Sequence, residues 1–113
     1  MGDDAGHSVN NSGAVIRGVV ARIVWARFPA AVIEGYTVTR SRAGAWSLTA
    51  ATVISANAYN LRQTPLTLVA PTEHGEWRWP IRTPIVSDRP PFHIAADLGA
   101  LEEIRHEPLR ATR

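Results

Sequence analysis

The stretch Gly75-Glu76-Trp77-Arg78-Trp79-Pro80 sets an arginine between two indoles in a chain that has only four tryptophans, two tyrosines and two phenylalanines. Arginine-flanked aromatics on a β surface can stack on nucleobases, each stack contributing about 1–3 kcal/mol by alanine substitution. The same pattern recurs more loosely elsewhere. Arg40 and Arg42 precede Trp46, and Arg62 follows Tyr59. With Arg17, Arg22 and Arg27 they form a set that could track a phosphate backbone. In an extended segment Trp77, Trp79 and Ile81 share one face and Arg78 points the other way. The indoles therefore look like core more than like an exposed platform. A small β domain needs large side chains inside, and Trp46, Trp77 and Trp79 can supply them. Buried core is the first expectation and exposed platform the second.

Catalytic chemistry finds little support. His74 lies between Glu73 and Glu76, and His93 precedes Asp97 and His106, without a metal-binding spacing. There is no G-x-S-x-G, Walker glycine loop, H-E-x-x-H or G-x-G-x-x-G. No catalytic residue, metal site or cofactor is expected. Cysteine is absent, which removes disulfides and thiolate ligands.

All twelve basic residues are arginine, against ten acids, for a net charge of +2. The pI of 9.9 overstates this balance. Without lysine, little besides the tyrosines and the amino terminus is left to titrate below the arginines. Distribution is more informative. Between residues 14 and 72 lie six arginines and one acid, Glu34, whereas residues 73–113 carry seven acids and six arginines. A basic front half is compatible with one basic face. The opening residues MGDDAGHSVNNSG lack the basic and apolar regions of a signal peptide, and no run of about 18 apolar residues occurs. A cytoplasmic protein without a membrane partner is expected.

The elements that would hold these residues are strands. Residues 14–28, AVIRGVVARIVWARF, are rich in β-branched side chains that prefer the pleated surface and read as one strand, with Gly18 within it and Pro29 at its end weighing against a helix. Arg17 and Arg22 fall on opposite sides of a regular strand and share a face only if a bulge intervenes near Gly18. Residues 31–40 and 46–56 alternate apolar and polar positions. Pro65 cannot donate to a ladder, so a further strand starts afresh at Leu66. A hairpin loop over 72–75, with Gly75 expected at a positive φ, returns the chain through residues 76–81. That hairpin sets Leu66, Leu68 and Ala70 opposite the Trp77–Trp79 face. Residues 82–91 hold three prolines and are expected to be irregular or edge-like. A last strand should end near Leu98, followed by a short helix or tail stopped before Pro108.

Five to six antiparallel strands predict an all-β domain, a small barrel of OB- or SH3-like type, with a small sandwich as second choice. Residues 1–13 are expected to be a disordered lead-in, 14–100 a single β domain, and 101–113 a tail or short helix. The leading functional expectation is a non-enzymatic module that binds nucleic acid, single-stranded or read by its backbone. The second is a protein–protein role, as an accessory, inhibitor or self-assembling protein, since edge strands can be completed by a partner or a second copy.

Overall fold

The structure is a computed structural model that describes residues 8–10, as backbone, and residues 13–106. In chain order the elements are β1 (Ser8–Asn10), β2 (Gly13–Trp25), β3 (Phe28–Arg40), β4 (Trp46–Ala56), α1 (Ala58–Leu61), β5 (Leu66–Thr72), β6 (Gly75–Ile81), β7 (Ile85–Val86), β8 (Ile94–Leu98) and β9 (Glu102–Arg105). The protein is all-β, and every strand pairing is antiparallel. Strands run in the order β8-β4-β3-β2-β5-β6, and Ile81 of β6 pairs again with Leu98 of β8, closing a ring of six. Closure of this kind leaves the ring's own strands few open edges. Outside the ring, β7 lies on β8, β1 on the start of β2, and β9 on the first half of β6.

The long β2–β3 hairpin forms two walls of this ring because both of its strands exchange faces at the same level. Ala14 and Ile16 are buried, Val19 and Val20 are exposed, and then Ala21 and Ile23 are buried. Opposite them, Ile33 is buried, Glu34 and Gly35 are exposed, and Tyr36 and Val38 are buried again. The pairing register stays unbroken across the exchange, from Gly18↔Tyr36 to Val20↔Glu34. Gly35 makes the reversal with φ +62, a left-handed conformation that costs glycine almost nothing. Gly18 makes it by having no side chain. A Cβ there would fall 2.2 Å from the Tyr36 ring. The tyrosine therefore lies directly across the glycine and fills the space that the bend opens.

The β5–β6 hairpin has the register that alternation demands, with Leu66↔Ile81, Leu68↔Trp79 and Ala70↔Trp77. Its loop is only Glu73-His74, and Gly75 is not among the glycines with positive φ. The expected reason for that glycine is thus corrected. A Cβ at Gly75 would lie 1.9 Å from the Ile104 carbonyl oxygen, so the glycine is required by the close approach of β9.

Two further expectations change. Residues 102–105 form a strand where a tail or short helix was expected. Gly99 N–H donates to the Pro80 carbonyl at 2.7 Å, keeping the chain extended past Leu98, and Glu102–Arg105 then satisfy the edge of β6. Tertiary pairing outweighs the helical preference of Glu-Glu-Ile-Arg. Ser8–Asn10, within the stretch expected to be a lead-in, pairs with Gly13–Val15. The remainder of the lead-in, and residues 107–113, lie outside the described residues. The core gathers Ile23, Ile33, Val38, Leu48, Leu68 and Trp79, all essentially inaccessible.

Candidate functional site

The sequence-selected tryptophans sit at three depths. Trp79 is completely buried, 5.5 Å from Trp46 and 6.1 Å from Trp77 between ring centroids. Its Nε1–H has no hydrogen-bond partner among the described residues. Trp77 is half-buried, and its Nε1–H donates to Glu103 Oε2 of β9 at 3.1 Å. Trp46 is half-buried, with the Arg40 guanidinium 5.6 Å from its ring centroid. The three indoles form one connected, largely interior row.

The arginines do not share one surface. The exchange of faces in β2 puts Arg17 and Arg22 on the same outer side, the condition that a regular strand could not meet. Arg22, however, reaches Glu76 at 3.3 Å, and Arg78 holds the other oxygen of that carboxylate through Nε at 2.7 Å. Glu76 is 9% exposed, whereas the two guanidiniums remain about half exposed at 55% and 45%. A buried carboxylate between two cations satisfies its desolvation with charge-assisted hydrogen bonds. It also removes charge that a phosphate would otherwise meet. Arg40 and Arg42 belong to the β3–β4 end of the hairpin. Arg62 and Tyr59 sit beside the opposite end, separated by the length of β3, about 40 Å at ~3.3 Å per residue.

At that opposite end the structure gathers Tyr59, Arg62 and Arg27, which the sequence pattern named, with Trp25 and Phe28, which it did not. The turn between β2 and β3 is Ala26-Arg27, because Trp25 pairs with Phe28. This corrects the single strand expected over 14–28, which ends at Trp25. Ala26 carries φ 54, a left-handed conformation that costs a non-glycine residue about 1 kcal/mol. Trp25 lies 5.6 Å from Phe28 and 6.2 Å from Tyr59, and the Arg27 guanidinium is 5.3 Å from the Phe28 centroid. Phe28 is 45% exposed and Tyr59 68%.

The surroundings hold this tip rigid. A register shift after Ile23 leaves Ala30 as an extra residue in β3. Its carbonyl accepts from Asn57 N–H at 2.8 Å, while Asn60 Nδ2 donates to the Pro29 carbonyl at 2.8 Å. Asn57 Oδ1 caps α1 by accepting from Asn60 N–H at 2.9 Å. The helical turn that carries Tyr59 is thereby latched to the hairpin that carries Trp25 and Phe28. Residues 24–31 and 57–63 include Arg27 and Arg62 and no acid. The sequence signal that could have found the site is Trp25-Ala26-Arg27-Phe28, two aromatics that a two-residue turn brings together.

Among the clefts of the surface, two bear on the residues above. One, of about 500 Å³, opens where the start of β2 diverges from the β5–β6 hairpin and β9. Glu73, Glu76 and Glu103 line it beside Arg17, His74 and Arg105, so its charge is mixed. The Tyr36 ring borders it, and burial pushes that phenol's pKa above its ordinary value. The other, of about 510 Å³, lies between β4, α1 and the segment around β7. Its walls are apolar apart from Arg62 and Ser87. No group of three His, Asp or Glu that could hold a metal occurs among the described residues, and no helix there is long and apolar enough to cross a membrane. In comparisons with known proteins, no family model, no curated protein and no solved structure matches the chain.

Proposed function

We propose that this protein is a small non-catalytic module that binds single-stranded nucleic acid at the β2–β3 tip. Bases stack on Phe28 and Tyr59, and Arg27 and Arg62 meet the phosphates. One observation supports the reading above the others: three touching aromatic rings, two of them well exposed, stand beside two arginines in segments that contain no acid. Flat π faces with uncompensated positive charge suit a partner that offers flat rings and anions together. Rigid latching of α1 lowers the ordering cost on binding.

The test is fluorescence anisotropy of a labelled ten-residue oligothymidine against salt. Two phosphate contacts to a single strand give a log–log slope of about −1.4. Phe28→Ala and Tyr59→Ala should each weaken binding roughly 5- to 150-fold, corresponding to about 1–3 kcal/mol per stack. No detectable binding at about 50 mM salt, where such contacts are strong, would remove the proposal. A second reading, assembly with a protein partner or another copy, draws on the exposed apolar Val19, Ile54 and Ile85, at 72%, 52% and 68%. Light scattering that returns a monomer at all concentrations would count against the self-assembly form of it.

A further inference from the structure

The apolar cleft beside α1 shares its helical turn with the stacking tip. Tyr59 belongs to the tip, while Ala58, Leu61 and Arg62 form one wall of the cleft, opposite Val53 of β4 and Phe92. Its volume of about 510 Å³ falls within the range of small-ligand pockets. Phe92 leaves 41% of its surface exposed there. The wall it stands on is fixed. Val53 N–H donates to the Phe92 carbonyl at 2.8 Å, and His93 N–H donates to Ser87 Oγ at 2.9 Å. Arg62 is the one charged residue that lines the cleft among the described residues.

We infer that this cleft is a nucleobase pocket, a second subsite of the surface proposed above, and the inference rests on that reading. One base leaves the stack at Tyr59, turns past Arg62 and enters the cleft, where it packs on the Phe92 ring between Leu61 and Val53. Arg62 holds the phosphate at the mouth. The chemistry selects this occupant. Apolar walls take a flat ring, the single guanidinium takes an anion, and with no carboxylate lining the cleft a cationic side chain finds nothing to pair with. A purely apolar peptide group would leave Arg62 without a role. Arg62 follows Tyr59 by one helical turn, about 5 Å, so neighbouring nucleotides can occupy the two subsites.

The experiment is binding of the same labelled oligothymidine to the full chain and to Phe92→Ala, Val86→Glu and Tyr59→Ala variants, each checked for folding by circular dichroism. Phe92→Ala should weaken binding roughly 5- to 150-fold, the range for one lost stack. Val86→Glu, which places a carboxylate in the cleft, should weaken it at least as much. An oligomer with one 2-aminopurine should show a base whose emission responds to Phe92→Ala and not to Tyr59→Ala. Should Tyr59→Ala weaken binding while Phe92→Ala and Val86→Glu leave it unchanged, the pocket is refuted and the stacking tip stands. Should the unaltered protein bind no oligomer at all, both are refuted.

Discussion

Gly18→Ala is a small change in composition that the geometry makes large. The new Cβ would sit 2.2 Å from Tyr36 Cζ and Oη and 2.5 Å from Cε1, whereas ordinary contact begins near ~3.4 Å. The ring must retreat by about an ångström or more. Tyr36 is 5% exposed and packed within the buried cluster that includes Ile16 and Val38, so a shift of the ring disturbs that cluster. Overpacking of this kind costs typically 1–3 kcal/mol, and the rigidity of the ring places this case at the upper end, about 3 kcal/mol. Tyr36→Leu removes the obstructing atoms and should itself cost about 2–3 kcal/mol through lost burial. In that background Gly18→Ala meets no ring and should be neutral, so the two changes couple by about 3 kcal/mol. Urea unfolding of the four proteins of the cycle measures this, provided the m-value is constant. Additivity within about 0.5 kcal/mol would mean that the tyrosine does not lie across the glycine, and the account of how β2 and β3 exchange faces would fall with it.

Gly75→Ala should act through backbone, since its Cβ would lie 1.9 Å from the Ile104 carbonyl oxygen. β9 must lift, uncovering Trp77; acrylamide quenching of tryptophan emission should rise, with a loss of stability of about 2 kcal/mol, and unchanged quenching would contradict the close approach. Burial raises the Tyr36 pKa above the ordinary value of about 10, so the unfolded chain loses this proton before the folded one does. Through this phenol, stability is independent of pH below about 10 and falls as pH rises beyond it, and the high-pH loss should be smaller in Tyr36→Phe by urea titration; an identical decline in both proteins would exclude the effect.

Much of the fold was legible because its signals were local. A proline that forbids earlier pairing at Leu66 and a short loop at 73–74 fix which residues face each other in the β5–β6 hairpin, and Leu68 does oppose Trp79. The alternation read in residues 46–56 does not persist, because register shifts against β3 at Thr49 and Ile54 bury Leu48 and Ala51 and leave Ala50 and Ile54 exposed. What could not be read locally was decided by distant partners. Gly75 looks like a turn glycine, yet the carbonyl that forbids a side chain belongs to Ile104, from the last strand. Glu-Glu-Ile-Arg has the composition of a helix and becomes a strand because β6 has an edge to complete. The sequence reads 14–28 as one strand because Ala26, at φ 54, is not a residue type that announces a left-handed turn. Missing that turn hid the Trp25–Phe28 contact and with it the candidate tip.

The arginines show why composition and site diverge in this protein. They recur along the chain at intervals that suggest a continuous basic face, but the ring sorts them by neighbour. Arg22 and Arg78 come from strands separated by β5, and both turn onto Glu76, which their approach keeps at 9% exposure. An external phosphate must compete there with a carboxylate already in place and must leave it buried without its partners, at a cost of several kcal/mol. At the tip no such competitor exists in the segments that build it, and the guanidinium of Arg27 is already spread over the exposed Phe28 ring. The two tryptophans around Arg78 first suggest a binding ridge. Topology instead commits them to the interior row and leaves the exposed chemistry to the hairpin end, where the chain turns on a strained alanine.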